Sequence, residues 1–426
     1  MIDRHRALSL AALALVLALA YGIWYAYSVF MVTLLREFGW SRSVLAGAFS
    51  TFTLVHGACI PIVGWLCDRV RPERMVMGGG FAVGLALTGV SFIDTPTELY
   101  LYFGVFTAVS VATCGWVPAV IQVQRRFQDR MGFALGIVSS GVGLGMLLVV
   151  PLCQALMDAF GWRIALRILG LICVACIVPC ALYLMRSAPT GSMAAKSAAE
   201  RPAASAGGSA AVSLTLAQAM RTAPFWLIMA TFFFGGLGSQ TMHVHQVAYL
   251  VDHGLSAMIG ASVVGVVGGA SMVAKISGGW LSDRIDREIV FIAGISVLVA
   301  SVAALALVGR SPTVWGAYGY AVLLGVGYSV TASLTPVLTS DRFTGPHFGS
   351  IVGAGLLASA LGAAVGPWFA GWQFDLTGSY RLAFIVVVVC CAIAGTSAWF
   401  ARSLRKRALQ LSAAAANLRP STIGTE

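Results

Sequence analysis

Long apolar runs separated by short charged loops fill this 426-residue chain, and each run is about as long as a bilayer's hydrocarbon is thick. A helix of about 20 residues satisfies its own backbone hydrogen bonds across that layer, which limits spanning structures to helices and closed barrels. The runs predict helices at about 7–35, 44–67, 75–94, 99–123, 131–156, 164–186, 223–250, 257–281, 289–309, 313–338, 347–371 and 381–401. The expected fold is an all-α membrane protein with twelve transmembrane helices. The first run follows Arg4, His5 and Arg6, as a secretory signal would, but it is too long for a signal's apolar region and reads as an uncleaved helix. A water-soluble reading fails on composition, because 58% of residues are hydrophobic and 10% charged, where soluble proteins carry about a quarter charged residues.

The net charge of +11 does not mark a nucleic-acid partner, since the basic residues form short clusters between spans rather than a stripe with interleaved aromatics. Loops on the amino-terminal side carry 20 Lys and Arg, opposite loops carry 6, and Lys275 lies within a span. An even number of spans puts both termini on one side, and the positive excess predicts that this side is cytoplasmic. Most of the nine cysteines fall inside spans. Cys173, Cys176 and Cys180 share a helix face but bring no His, Asp or Glu, so they read as packing residues, and no metal, cofactor or disulfide framework is expected. The one long loop, 187–222, is rich in Ala, Ser and Gly from Ser187 to Ser213, as a flexible tether would be. It divides the chain into a six-helix bundle at 1–186, a cytoplasmic linker at 187–222, a second bundle at 223–401 and a cytoplasmic tail at 402–426.

The two bundles repeat one another. Gly64-Trp65-Leu66-Cys67-Asp68-Arg69 returns 215 residues later as Gly279-Trp280-Leu281-Ser282-Asp283-Arg284. Arg126-Phe127 returns as Arg342-Phe343, and Pro151, Asp158 and Arg163 return as Pro367, Asp375 and Arg381, at offsets of 216 to 218. Matches at nearly one offset, each at the same place in its half, imply duplication into parallel halves, an arrangement known among transporters.

The loop from Gly64 to Arg69, continuing to Arg74, and its copy from Gly279 to Arg287 resemble the signature motif of the major facilitator superfamily. Three further stretches are similar to its bacterial monocarboxylate porters: Tyr27-Ser28-Val29-Phe30 with Glu37 to Arg42, Arg125-Arg126-Phe127 through Arg130 to Ser140-Gly141, and His245 with Tyr249 through Gly254-Leu255-Ser256. Relatives of that group include oxalate:formate exchangers and animal lactate carriers. The resemblance implies two pseudo-symmetric six-helix bundles, a bacterial inner-membrane location and a monomer. The fifth span ends at Val150-Pro151 without the Gly-Pro and paired glycines of drug–proton antiporters, which weighs against an efflux pump.

Charge inside hydrocarbon is costly, so the spans themselves nominate the site. All sixteen Asp and Glu fall in loops, tails or helix ends, which leaves Lys275 as a lone cation suited to an anionic substrate. It lies eight residues before Asp283, roughly 12 Å along the helix, near the limit of snorkelling to the interface. The resemblance adds that a basic residue four before Gly279 stands at the family's carboxylate-binding position, where Arg is frequent. On the seventh span, His243 and His245 are two residues apart and face different ways. His245 matches the family pattern and is either a proton or carboxylate ligand or a packing residue; His243 has the same two readings, and His56 reads as structural. Tyr25, Tyr27, Tyr328 and Tyr249 supply hydroxyls for a carboxylate, with Tyr21 and Trp24 beside them. Gly64, Asp68, Arg69, Gly279, Asp283 and Arg284 read as gating residues that clasp the cytoplasmic side. Gly141, Gly145, Gly353, Gly355, Gly362 and Gly366 suit close approach between helices.

These features predict a secondary transporter that moves a small organic anion, a monocarboxylate, by alternating access in the lipid bilayer. With no carboxylate inside the spans, coupling falls to a histidine, to Lys275, or to exchange of one anion for another, and proton-linked uptake is the expectation. An oxalate:formate-type exchanger and an exporter of amphipathic compounds remain as alternatives. No catalytic constellation suggests an enzyme.

Overall fold

A computed structural model describes residues 4–127, 131–187, 214–343 and 347–417, with side chains to residue 405. Its twelve long helices are α1 (Arg4–Phe38), α2 (Arg42–Arg69), α3 (Pro72–Val90), α4 (Pro96–Arg126), α5 (Met131–Phe160), α6 (Trp162–Arg186), α7 (Ala223–Asp252), α8 (Ala257–Ser282), α9 (Arg287–Arg310), α10 (Val314–Ser340), α11 (Phe348–Thr377) and α12 (Arg381–Asn417). Ten are long and apolar enough to cross a membrane. The other two are α3, which carries Glu73 and Arg74 in its first turn, and α7, whose run from Ser239 to Gln246 includes two Gln and two His. The expected boundaries differ from these by a few residues, except that α12 continues to Asn417, well past residue 401. Most of the expected linker, 188–213, lies outside the described residues. Its far end forms a capped turn at Leu216–Ala219, where Thr215 and Gln218 bond each other's backbone amides.

Local chemistry sets the helix ends. Ser41, Ser256 and Thr313 accept the first free amides of α2, α8 and α10, and Pro72 and Pro96 occupy first turns where a missing N–H costs nothing. Helices α1 and α7 both stop at a glycine with positive φ, Gly39 and Gly254, and α5 and α11 stop likewise at Gly161 and Gly378. Only glycine adopts that left-handed conformation without strain. The offsets, 215 and 217, extend the duplication to the turns themselves.

Small residues knit each half. Gly141 and Gly145 of α5 press on the α1 backbone at Ala14 and Ala18, and Gly362 and Gly366 of α11 press on α7 at Phe233 and Leu237. These glycines therefore pack neighbours within one half, rather than facing the other half. Between the halves run two seams. On one, Gly143 of α5 meets Gly268 and Ser271 of α8, with Gly265 against Leu147; on the other, Gly57, Ser50 and Arg42 of α2 meet Ala360, Ala364 and Gly371 of α11.

Both seams are tight from mid-helix to the end away from the chain termini, and open toward the terminal end. A Cβ at Gly64, Gly132, Gly136, Gly279, Gly349 or Gly353, all nearer the terminal end, would meet nothing within 4 Å. Ion pairs at that end stay within one half: Arg126–Glu73 at 3.0 Å in the first, and Arg405–Glu288 at 3.0 Å and Arg402–Asp286 at 2.5 Å in the second. The halves thus form a wedge, closed at the far side and parted at the terminal side.

Candidate functional site

At the apex of the wedge, α1, α7 and α10 bring three rings together. The Tyr25 and Tyr328 hydroxyls are 2.7 Å apart, and the His243 ring lies between the two tyrosines, with centroids 5.0 and 4.7 Å away. Tyr25 belongs to the first half and the other two to the second, so this cluster joins the halves. Tyr25 and His243 are buried, whereas Tyr328 is partly exposed.

Buried polar atoms nearly always find a partner, and several here do not. His243 Nε2, Gln240 Oε1, Trp24 Nε1 and Ser329 Oγ are buried with no hydrogen-bond partner, all on the turns of α7, α1 and α10 that carry the three rings. Such a concentration of unsatisfied donors and acceptors fits a site that receives a polar ligand.

Lys275 lies on α8, which packs against α10. A Cβ at Gly325 would lie 2.6 Å from Val267 O, and one at Gly278 3.0 Å from Val330, so α8 and α10 run side by side here. Lys275 falls between these contacts, level with Tyr328. Around the helix it sits roughly 130° from the mean direction of the exposed Val273, Ile276 and Trp280, so it faces the interior rather than the lipid side. It is partly exposed, and among the described residues it has no carboxylate partner. Lys275 and Tyr328 therefore lie at one level of the paired helices α8 and α10.

The other expected residues lie elsewhere. Tyr27 does not reach the cluster: its hydroxyl donates to Leu45 O at 2.6 Å and its ring stacks on Phe103 at 4.3 Å, inside the first half's core. Helix geometry explains this, because two residues rotate a side chain by roughly 200° from Tyr25. His245 likewise points away from His243. Its Nε2 lies 2.8 Å from Pro367 O and its Nδ1 2.9 Å from the Tyr380 hydroxyl. A carbonyl only accepts, so Nε2 carries the proton and Nδ1 accepts from Tyr380. Tyr249 packs beside His253 and Phe384, at centroid distances of 4.2 and 5.1 Å, near the end of α7. Among the gating residues, Arg69 and Arg284 stack on Trp65 and Trp280 of their own motifs, each 3.7 Å from the ring centroid. Asp68 and Asp283 form no ion pair among the described residues, and Gly64 and Gly279 face open space.

His245 belongs to a second constellation that sequence reasoning missed, at the far-side end of the α2–α11 seam. Arg42 donates through Nη2 to Asp252 at 2.6 Å and through Nη1 to the Tyr380 hydroxyl at 2.5 Å, and stacks on Phe374 at 3.8 Å. Asp375 accepts from the backbone amides of Arg42 and Ser43 at 2.9 and 2.8 Å, capping α2 from the opposite half. Tyr380 links the two, donating to His245 while accepting from Arg42. All four partners of Arg42 come from the second half, so this constellation latches the far side shut. Asp252 and Asp375 sit at the expected ends of the seventh and eleventh spans, a placement that marks them as loop anchors and says nothing of Arg42.

A family model described as Major Facilitator Superfamily matches residues 13–354 and 274–424. Rattus norvegicus "Monocarboxylate transporter 12" is 26% identical over 380 residues, covering 84% of this chain and 77% of its own. Mus musculus "Monocarboxylate transporter 11" is 29% identical over 389 residues, with 88% and 83% covered. Among solved structures, a bacterial homolog to the human lysosomal transporter Spinster, in an inward-facing and occupied conformation, has a TM-score of 0.72 at 15% identity, with 95% of this chain and 98% of that one covered.

Proposed function

The chain belongs to the major facilitator superfamily, and from that premise we propose that it carries a small monocarboxylate across a bacterial inner membrane by alternating access, in symport with a proton. The observation that supports the anion is Lys275: an interior cation with no carboxylate partner among the described residues, level with a hydroxyl that can donate to a carboxylate. Burying a charge without a counter-charge is unfavourable, so a substrate that brings the counter-charge binds preferentially. The relatives named for monocarboxylate transport cover most of both chains and support the same class.

On this reading the terminal side is cytoplasmic, which the excess of Lys and Arg on its loops supports. The wedge then opens to the cytoplasm, and the Arg42 latch closes the outside. The inner clasps expected at Asp68-Arg69 and Asp283-Arg284 are unmade in this state and form when the inner side closes. Substrate enters from outside once the latch breaks, binds between Lys275 and the tyrosine pair, and leaves through the wedge.

Uptake of labelled mono- and dicarboxylates into proteoliposomes tests the proposal. Lys275→Gln keeps length and polarity but removes the charge, and is expected to lower saturable monocarboxylate uptake by tenfold or more. Uptake by that variant equal to wild type would remove Lys275, and with it the anion assignment.

A further inference from the structure

We propose that His243, rather than His245, is the coupling group: it binds the anion only when protonated, and so ties one proton to each substrate. The proposal rests on the monocarboxylate reading above. His243 Nδ1 lies 2.7 Å from Ser239 O, one turn back on its own helix. A carbonyl only accepts, so Nδ1 carries a proton in every protonation state compatible with this bond. That fixes the neutral ring as the tautomer with a bare Nε2. Nε2 is buried, the residue is 2% exposed, and among the described residues no group bonds this nitrogen. The ring sits between Tyr25 and Tyr328, at the apex of the open wedge.

In the neutral ring, Nε2 presents a lone pair to the site, and a lone pair repels a carboxylate oxygen. Protonation turns the same atom into a charged N–H donor, the stronger kind of hydrogen bond. Anion affinity therefore rises when Nε2 is protonated, and by linkage the bound anion raises the proton affinity of Nε2 by the same factor. The proton comes from water and returns to water, with no bond to carbon made or broken.

His245 offers no such switch. Both its nitrogens are engaged, one by Pro367 and one by Tyr380, and the neutral ring is part of the latch. Among the described residues the ionisable groups near His243 are few: Tyr25 from α1 with Tyr21 one turn back, Tyr328 from α10, and Lys275 on α8 at the level of Tyr328. His56 of α2 is one ring removed, against Trp24 at 4.9 Å, and Cys391 of α12 lies against Gly238. Among the described residues, no Asp or Glu faces the ring from any of these helices. Charge arithmetic is consistent with symport: the empty site carries Lys275⁺ alone, and the site loaded with anion and proton carries the same net charge.

Two measurements test this on the whole protein. In weakly buffered detergent solution at neutral pH, addition of monocarboxylate should draw protons from the medium, approaching one per anion bound, as read by a pH dye. In proteoliposomes, an inward proton gradient should drive accumulation. His243→Gln replaces the charged donor by a permanent neutral one, so anion exchange should weaken by tenfold or more, and the exchange that remains should take up no proton and drive no accumulation under the gradient. Proton uptake by His243→Gln equal to wild type would overturn the proposal and pass the role to Lys275. So would anion binding by wild type with no proton drawn, which leaves anion exchange standing. Absence of anion exchange in wild type itself would sink the monocarboxylate reading and this proposal together.

Discussion

Arg42 holds the far side shut through bonds that a single substitution removes together. Its ion pair with Asp252 is 2.6 Å long, but the carboxylate is 35% exposed, so water screens it and we assign it about 1 kcal/mol. The Tyr380 bond is buried and charge-assisted, at about 1.5 kcal/mol, and the guanidinium stacked on Phe374 adds about 0.5 kcal/mol. Arg42→Gln should therefore shift the ratio of closed to open far side by about 3 kcal/mol, roughly 100-fold. Arg42→Lys keeps the charge but loses the fork that reaches Asp252 and Tyr380 at once, and should fall between. Ser50 is a suitable reporter, buried in the same seam with its hydroxyl donating to Ala364 O across it at 2.5 Å. In a Ser50→Cys background, a membrane-impermeant maleimide added outside should label slowly, and much faster once Arg42→Gln is introduced. Labelling rates within twofold of each other would refute Arg42 as a latch.

Two further outcomes follow from the packing. Tyr25→Phe removes one hydroxyl of the 2.7 Å pair and should raise the KM for transport several-fold, whereas Tyr27→Phe should lower thermal stability by about 1 kcal/mol and leave KM unchanged, because its bond to Leu45 O lies in the first half's core. Gly268→Leu would drive a side chain into the α5 backbone, since even a Cβ there would lie 2.5 Å from Gly143 O; transport should fall tenfold or more, with binding to the open wedge retained, and full activity in that variant would show that the seam does not move.

Much of this architecture was legible in the sequence because hydrophobic length and duplication are local signals. Each run of about 20 residues declares its own helix, and the Gly64–Arg69 copy at Gly279–Arg284 declares the halves. Lys275 was legible because a charge within a span has few innocent explanations. Side-chain direction was the harder part. Tyr25 and Tyr27 look alike in a sequence, and His243 and His245 even more so, yet a step of two residues turns Tyr27 from the ring cluster into a bundle core and His245 from it to the latch. The latch was illegible because it joins residues far apart in the chain, Arg42 to Asp252, Asp375 and Tyr380, through a surface that exists only when both halves are folded together. Glu73 and Glu288 show the same limit: each sits at an expected helix start, but Glu73 pairs with Arg126, whereas Glu288 pairs with Arg405 rather than the repeat's counterpart, Arg342.

The wedge also sets a lever. From Arg42 at the latch to Gly57, where α2 crosses Ala360, is 15 residues, or about 22 Å of helix. A rock of the halves by about 3° around that crossing lengthens every bond at the latch by about 1 Å, enough to break a hydrogen bond outright. All of the bonds sit at nearly the same radius, so they fail together rather than in sequence. The far side therefore snaps instead of yielding gradually, and a slight tilt of the halves is enough to release it.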